Sequence, residues 1–229
     1  VGQSSQPFLF ARLVVTEFIA RGPGGLTDET AQQLADGTSR GVFAAALDRL
    51  RDQAVLLGNG TEVSGRMAVA MLRALAYAQG RGVPVDSWLA TAGALDPELR
   101  DLLADPSKLG LGQRLVDRLV GEVAKPGLAA GYVALDSEGW PAVRLAHQTF
   151  NEHFWRETTR AGRPVEEEGG HPQPERHEVI ARALAAAALD NQQLNGYTDR
   201  YLAAHLALTG RIDDLLDERP ELADVGSPG

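Results

Sequence analysis

Among the side chains able to do chemistry in this sequence, His147 has the widest range of possible roles. It stands in the run PAVRLAHQTFNEHFWRE, Pro141 to Glu157, where a short alternating segment, Val143 to Ala146, leads into an amphipathic one. An imidazole at such a junction can take or give a proton, ligate a metal, contact a nucleotide, or pack in a core. If the helix begins at Ala146 or His147, then His147, Phe150, Asn151 and Phe154 share one face. On that reading the ring caps a phenylalanine stripe and is satisfied by a backbone carbonyl. The same ring can reach an anion if the face opens on a neighbouring domain.

Other chemistry finds less support. Two-histidine zinc motifs on helices want i, i+4 spacing. His147 and His153 are six apart, and His171 and His177 fall in or beside a Pro/Gly-rich linker. No metal site is expected. Ser64, Ser87, Ser107 and Ser137 lack a nucleophile-elbow context. Glu166, Glu167 and Glu168 form a charge run that reads as solvated. There is no Gly-rich phosphate loop ending in Gly-Lys-Ser/Thr, and the two lysines, Lys108 and Lys125, sit in no such loop. Nucleotide hydrolysis by this chain alone is not expected.

Composition narrows the classes further. The chain has 229 residues, 44% hydrophobic and 23% charged, enough for one or two domains with cores. Its net charge of -9 argues against a large nucleic-acid footprint or an anionic membrane surface. With no cysteine, disulfides, cysteine zinc sites and thiol nucleophiles are excluded. No apolar run approaches the roughly 20 residues of a membrane span. VGQSSQPFLF lacks a secretory signal and an initiator Met, so the chain is expected to be a piece of a longer cytoplasmic protein.

The elements that must position His147 are mostly helical. Pro7 to Arg21 reads as a buried helix with Pro7 in its first turn. Thr27 reads as an N-cap of a weakly amphipathic stretch to Ala35. Phe43 to Leu50 and Arg66 to Gln79 follow as helices, separated by GNGTEVSG, read as a loop. GRGVP stops the second, and a short helix runs from Pro84 through Leu95, giving a helix-turn-helix pattern. Leu111 to Ala124 carries an apolar stripe at four-residue steps. The period then changes to two: Tyr132 to Leu135 and Val143 to Leu145 flank Asp136-Ser137-Glu138-Gly139 as a hairpin. Three helices, a hairpin and a further helix is the order of a winged helix. After the linker, His177 to Gln192, Tyr197 to Thr209 and a short piece within GRIDDLLDERPEL read as helices.

Three stretches carry a family resemblance. RLAHQTFNEHFWRE resembles the end of the winged helix in STAND NTPases, the NACHT and NB-ARC signalling ATPases. His147, Phe150, Glu152 and, one place late, Phe154 match its motif, and Asn151 stands where Gln is common. SQPFLFARLVV is similar to the Gly-x-Pro segment of the helical lid, with Pro7 as the motif proline and Ser5 where Gly is usual. YLAAHLALTGRIDDLLDERPELA resembles the helical stretch that follows the winged helix in many bacterial members. The resemblance implies lid and connector helices over 1–58, a winged helix over 59–160, a linker over 161–174 and a helical extension over 175–229. It implies a mainly α fold that catalyses nothing itself. His147 would contact the β-phosphate of ADP, and Pro7 would pack near the adenine. ADP or ATP with Mg would belong to the full-length protein, whose upstream nucleotide-binding domain and downstream sensor domain are the implied partners. The full protein would oligomerise, in bacterial signalling or defence.

Two other classes follow from the same elements. A DNA-binding winged helix would read with the third helix, which carries Arg114, Arg118 and Lys125 against Asp117 and Glu122. Its hairpin tip, however, offers Asp136 and Glu138 where phosphates want cations. A helical adaptor would bind peptides along Ala187 to Leu216.

Overall fold

The computed structural model describes residues 14–15, 39–57, 59–122, 125–129, 131–137, 141–157, 173–191, 196–210, 212–218 and 220. The expected first helix lies outside these residues except for Val14 and Val15, which are helical. The Thr27 cap, the linker acids Glu166 to Glu168 and the hairpin-tip Glu138 also lie outside them.

Apolar side chains at helical spacing build the first packed layer. Helix α1, Ser39–Asp52, buries Val42, Phe43, Ala46, Leu47 and Leu50 on one face. The stretch GNGTEVSG is more than a loop. Strands β1, Ala54–Leu56, and β2, Glu62–Ser64, pair antiparallel around it, with Val55 opposite Val63 and both buried. Only one residue of each short strand points inward, too weak a pattern for periodicity to reveal.

Helix α2, Gly65–Leu75, starts at Ser64, whose side chain accepts the Arg66 N–H. A Cβ at Gly65 would collide with the Leu50 carbonyl oxygen, so glycine lets α2 press against α1. The helix ends four residues before the expected Gln79. Ala76, Tyr77 and Ala78 donate to carbonyls three residues back, tightening the last turn. Gly80 then takes φ +63 and Gly82 φ +129. Helices α3, Val85–Leu95, and α4, Pro97–Ala104, follow, with Asp96 capping α4 through the Leu99 N–H. Trp88 is fully buried and its indole N–H donates to the Met71 carbonyl, joining α3 to α2.

A single 3-10 turn, Pro106–Lys108, leads to α5, Leu111–Val120. This helix stops at Gly121, φ +70, short of the expected Ala124. Its terminal carbonyls are satisfied by the returning chain: Leu128, Ala129 and Gly127 donate to Arg118, Leu119 and Val120. Short strands β3, Gly121–Glu122, and β4, Lys125–Pro126, form that return.

The expected hairpin is present as β5, Val133–Ser137, and β6, Pro141–Leu145, in register Val133 to Leu145 and Leu135 to Val143. On its other edge β6 meets Val83, and Val83 and Val143 exchange both backbone hydrogen bonds at 2.9 Å. Helix α6, Gln148–Glu157, follows directly. Its Phe150 and Phe154 are fully buried against Phe43 of α1: Phe43 stacks on Phe150 at 4.2 Å and meets Phe154 edge-on at 5.6 Å. Burying each ring contributes about 1.5–3 kcal/mol.

Helices α7, Pro174–Asn191, α8, Gly196–Thr209, and α9, Ile212–Glu218, complete the chain. Helix α7 packs on both α8 and α3. Its Ile180, Ala181, Leu184 and Ala185 join the same hydrophobic cluster as Phe43 and Trp88. The fold is mainly α with small two-stranded antiparallel sheets. No helix among the described residues is long and apolar enough to cross a membrane.

Candidate functional site

His147 sits at the corner the sequence assigns it, one residue before α6. At Nδ1 the ring meets a backbone amide, where the sequence reading expects a carbonyl partner. Nδ1 accepts the Thr149 backbone N–H at 3.1 Å, with the Thr149 hydroxyl 3.0 Å away, and the His147 carbonyl accepts the Phe150 N–H. The imidazole is therefore the N-cap of α6, in the place usually taken by Ser, Thr, Asp or Asn. An accepting Nδ1 puts the proton of the neutral ring on Nε2. The cap thus fixes the tautomer of the neutral ring.

The ring is half-buried and lines a cleft of about 310 Å³. Arg144, Gln148 and Asn151 supply its polar wall; Leu75, Ala78, Gly80 and Gly82, from the end of α2 and the turn after it, supply the other. Arg144 reaches Asp136 at 3.4 Å and the Leu145 carbonyl at 3.3 Å. Asp136 also pairs with Arg81 at 3.5 Å, so this hairpin acid is engaged by two guanidiniums. Asn151 donates to the Gln148 side-chain oxygen, while its own oxygen is buried with no hydrogen-bond partner. The N-terminus of α6 and Arg144, the latter partly offset by Asp136, give this side of the cleft positive character.

The turn from Ala76 to Pro84 is held from several directions. Trp155 of α6 donates its indole N–H to the Ala76 carbonyl at 2.9 Å. Gln79 N–H donates to the Tyr197 hydroxyl of α8 at 2.9 Å. A Cβ on Gly80 would collide with the Tyr201 hydroxyl, and one on Gly82 would stand 2.8 Å from the Val143 carbonyl oxygen.

Behind Tyr197 lies a buried polar chain that sequence reading missed. His177 lies in the first turns of α7, near where the sequence reading starts that helix, and is 1% exposed, as is His205 of α8. Their Nδ1 atoms are 2.9 Å apart, and His205 Nε2 is 3.1 Å from the Tyr197 hydroxyl. The hydroxyl oxygen accepts the Gln79 N–H, and one proton is shared in each of the other two contacts, Tyr197 hydroxyl with His205 Nε2 and His205 Nδ1 with His177 Nδ1. The remaining nitrogen of the pair is His177 Nε2. That Nε2 is buried with no hydrogen-bond partner, beside the Tyr77 ring at 5.6 Å. Burial pushes the His177 pKa down to about 4. Burial, then the positive charge His177 would carry, pushes His205 down to about 3. The two histidines lie 28 residues apart on different helices, so no local spacing rule could pair them.

Of the two residues singled out for nucleotide contact, His147 lines the cleft, and Pro7 lies outside the described residues. Among the described residues no group of three His, Cys, Asp or Glu side chains could hold a metal ion. A second, larger cleft of about 850 Å³ lies between α3, α4, α5 and α7. Its walls are mainly alanine, glycine and leucine, with Lys108 already on Asp105 at 3.4 Å. Arg114, on the helix that would read DNA, turns back onto the Leu109 carbonyl at 2.9 Å, and Gln113 bonds Asp117 at 2.8 Å. No protein-family model, curated protein or solved structure matches this chain.

Proposed function

We propose that this chain is a non-catalytic regulatory segment of a STAND-type signalling ATPase. On this reading α2, α3 and α5 with hairpin β5–β6 form a winged helix within residues 59–160. It holds the ADP-bound closed state through His147 and couples a sensor arm, residues 175–229, to the nucleotide switch. The lid proline Pro7 belongs to the same reading.

One observation carries it: His147, whose Nδ1 accepts the Thr149 N–H and whose neutral ring therefore carries its proton on Nε2, lines a cleft beside Arg144, Gln148 and Asn151. A phosphate oxygen is the partner that such a donor favours, because charge-assisted hydrogen bonds are the strong ones. Losing that contact when nucleotide changes would bias one domain arrangement over another. ADP or ATP with Mg would be held chiefly by the upstream nucleotide-binding domain of the full protein. His147 would add one contact from this side.

The test is His147→Ala in the full-length protein. A hydrogen bond to a charged phosphate contributes about 1.5–3 kcal/mol, so ADP affinity should fall roughly tenfold to a hundredfold, with raised basal activity. Unchanged ADP affinity in a folded variant leaves His147 a helix cap and nothing more. The alternative readings make different predictions. Tight duplex binding by this acidic chain at low salt would favour the DNA-binding regulator. Peptide binding along Ala187 to Leu216 would favour the adaptor.

A further inference from the structure

We infer that Tyr197 and Tyr201 of α8 are positioning residues for the His147 cleft, acting through the turn from Ala76 to Pro84. The inference rests on the cleft reading above for its functional meaning, but its physical content is a contact path that stands by itself. The inner wall of the cleft is made by Ala78, Gly80 and Gly82. The opposite side of the same turn is held by α8. Gln79 N–H ends on the Tyr197 hydroxyl at 2.9 Å, and the Tyr201 hydroxyl fills the space a Gly80 Cβ would need. The turn is therefore a thin partition between the C-terminal helices and the imidazole.

Three features make the partition responsive to α8. Two of its glycines, Gly80 and Gly82, have positive φ, so no side chains of its own lock it at those points. Its bond to Tyr197 is backbone to side chain, so it depends on where α8 sits. Tyr197 in turn is fixed by His205 at 3.1 Å, and its ring lies 5.1 Å from that of Tyr201. Withdrawing α8 removes the Gln79 acceptor and the Gly80 backing together. The wall can then shift toward or away from His147, changing the width of the cleft rather than its chemistry. The docked extension would thereby favour one cleft geometry, and by reciprocity an occupied cleft would favour the docked extension.

The test uses this chain, Tyr197→Phe, and two readouts. The first is hydrogen exchange at the Gln79 amide. The second is the position of the His147 ring Cε1–Hε1 signal, with His153 as internal control, since its ring packs against Phe43 and Phe154 instead of the turn. Removing the hydroxyl keeps the buried ring. Gln79 should exchange about tenfold faster, in line with the loss of one hydrogen bond. The His147 signal should move while that of His153 stays in place. Unchanged Gln79 exchange overturns the inference, because Tyr197 then does not hold the turn. Faster exchange with an unmoved His147 signal also overturns it, because the turn then gives without moving the cleft. Tyr201→Phe, which removes only the hydroxyl behind Gly80, is the second variant if Tyr197→Phe folds poorly, judged by the same His147 signal. None of these outcomes depends on nucleotide, so they are separable from an ADP result on His147→Ala.

Discussion

Acid should loosen this protein through the buried His177–His205 pair, and the size of the effect follows from the site. An unfolded histidine titrates near 6.5, whereas burial holds His177 at about 4 and His205 at about 3 in the folded chain. Both folded values are depressed, so the unfolded chain binds protons first as pH falls. The stability the neutral pair contributes is complete above about pH 6.5. It declines as pH drops toward 4 and 3, at about 1.4 kcal/mol per unit for each ring. Between pH 7 and pH 5 that is about 2 kcal/mol per histidine and about 4 kcal/mol together, a large part of the 5–15 kcal/mol typical of a domain. Geometry explains why a charge on the pair is costly. The shared Nδ1–Nδ1 contact at 2.9 Å admits one proton, so two imidazoliums would face each other across it. Among the described residues the phenols Tyr77 and Tyr197 face the rings. The neighbouring Glu178 is taken by Arg182 at 2.9 Å. The assay is urea unfolding at several pH values for the native chain and for His177→Leu/His205→Gln. The stability gap between them should change by about 4 kcal/mol in the native chain's disfavour as pH goes from 7 to 5, whatever the gap at pH 7. Parallel pH curves would refute the reasoning, as would either imidazole titrating near 6.5 in the folded protein.

Two further perturbations test the turn between α2 and α3. Gly80→Ala forces a Cβ into φ +63 and against the Tyr201 hydroxyl. The left-handed conformation alone costs about 1–2 kcal/mol, expected as a thermal midpoint several degrees lower, and Tyr201→Ala in the same background should recover the part due to collision. Trp155→Phe retains an aromatic ring but loses the indole N–H to Ala76; urea unfolding should show a loss of about 1–2 kcal/mol, including the unpaired carbonyl.

Local periodicity made much of the frame legible. The Met67-Met71-Leu72-Leu75 stripe marks α2, and the alternation on either side of Asp136 marks β5 and β6, because each signal lies within one element. Element ends were less legible for a stated reason. Residues 76–79 are as helix-compatible as those before them, and what ends α2 there is a tertiary grip on the turn. Helix α5 stops at Gly121 because the chain folds back to satisfy its carbonyls, an event involving Gly127 to Ala129. The position of His147 was readable from the strand-to-helix switch. Its partner was not, since the sequence does not distinguish a ring that donates to a carbonyl from one that accepts a backbone amide.

The residues that hold the Ala76–Pro84 turn show why the rest stayed hidden. Val143, Trp155, Tyr197 and Tyr201 come from β6, α6 and α8, and the bond from Gln79 to Tyr197 spans 118 residues. Each of those side chains has an adequate local explanation: an inward strand residue, an amphipathic helix tryptophan, two tyrosines on an alanine-rich helix. Only their convergence on one glycine-containing turn gives them a joint role, and convergence has no period. His205 illustrates the same limit. Inside YLAAHLALTG it reads as one polar residue on an apolar helix, a position that ordinarily weakens burial. It is buried nonetheless because both ring nitrogens have partners, the Tyr197 hydroxyl about two turns earlier at Nε2 and His177 at Nδ1. A buried histidine on a helix is thus best read as a question about which distant element completes it, and here the answer leads to the wall of the His147 cleft.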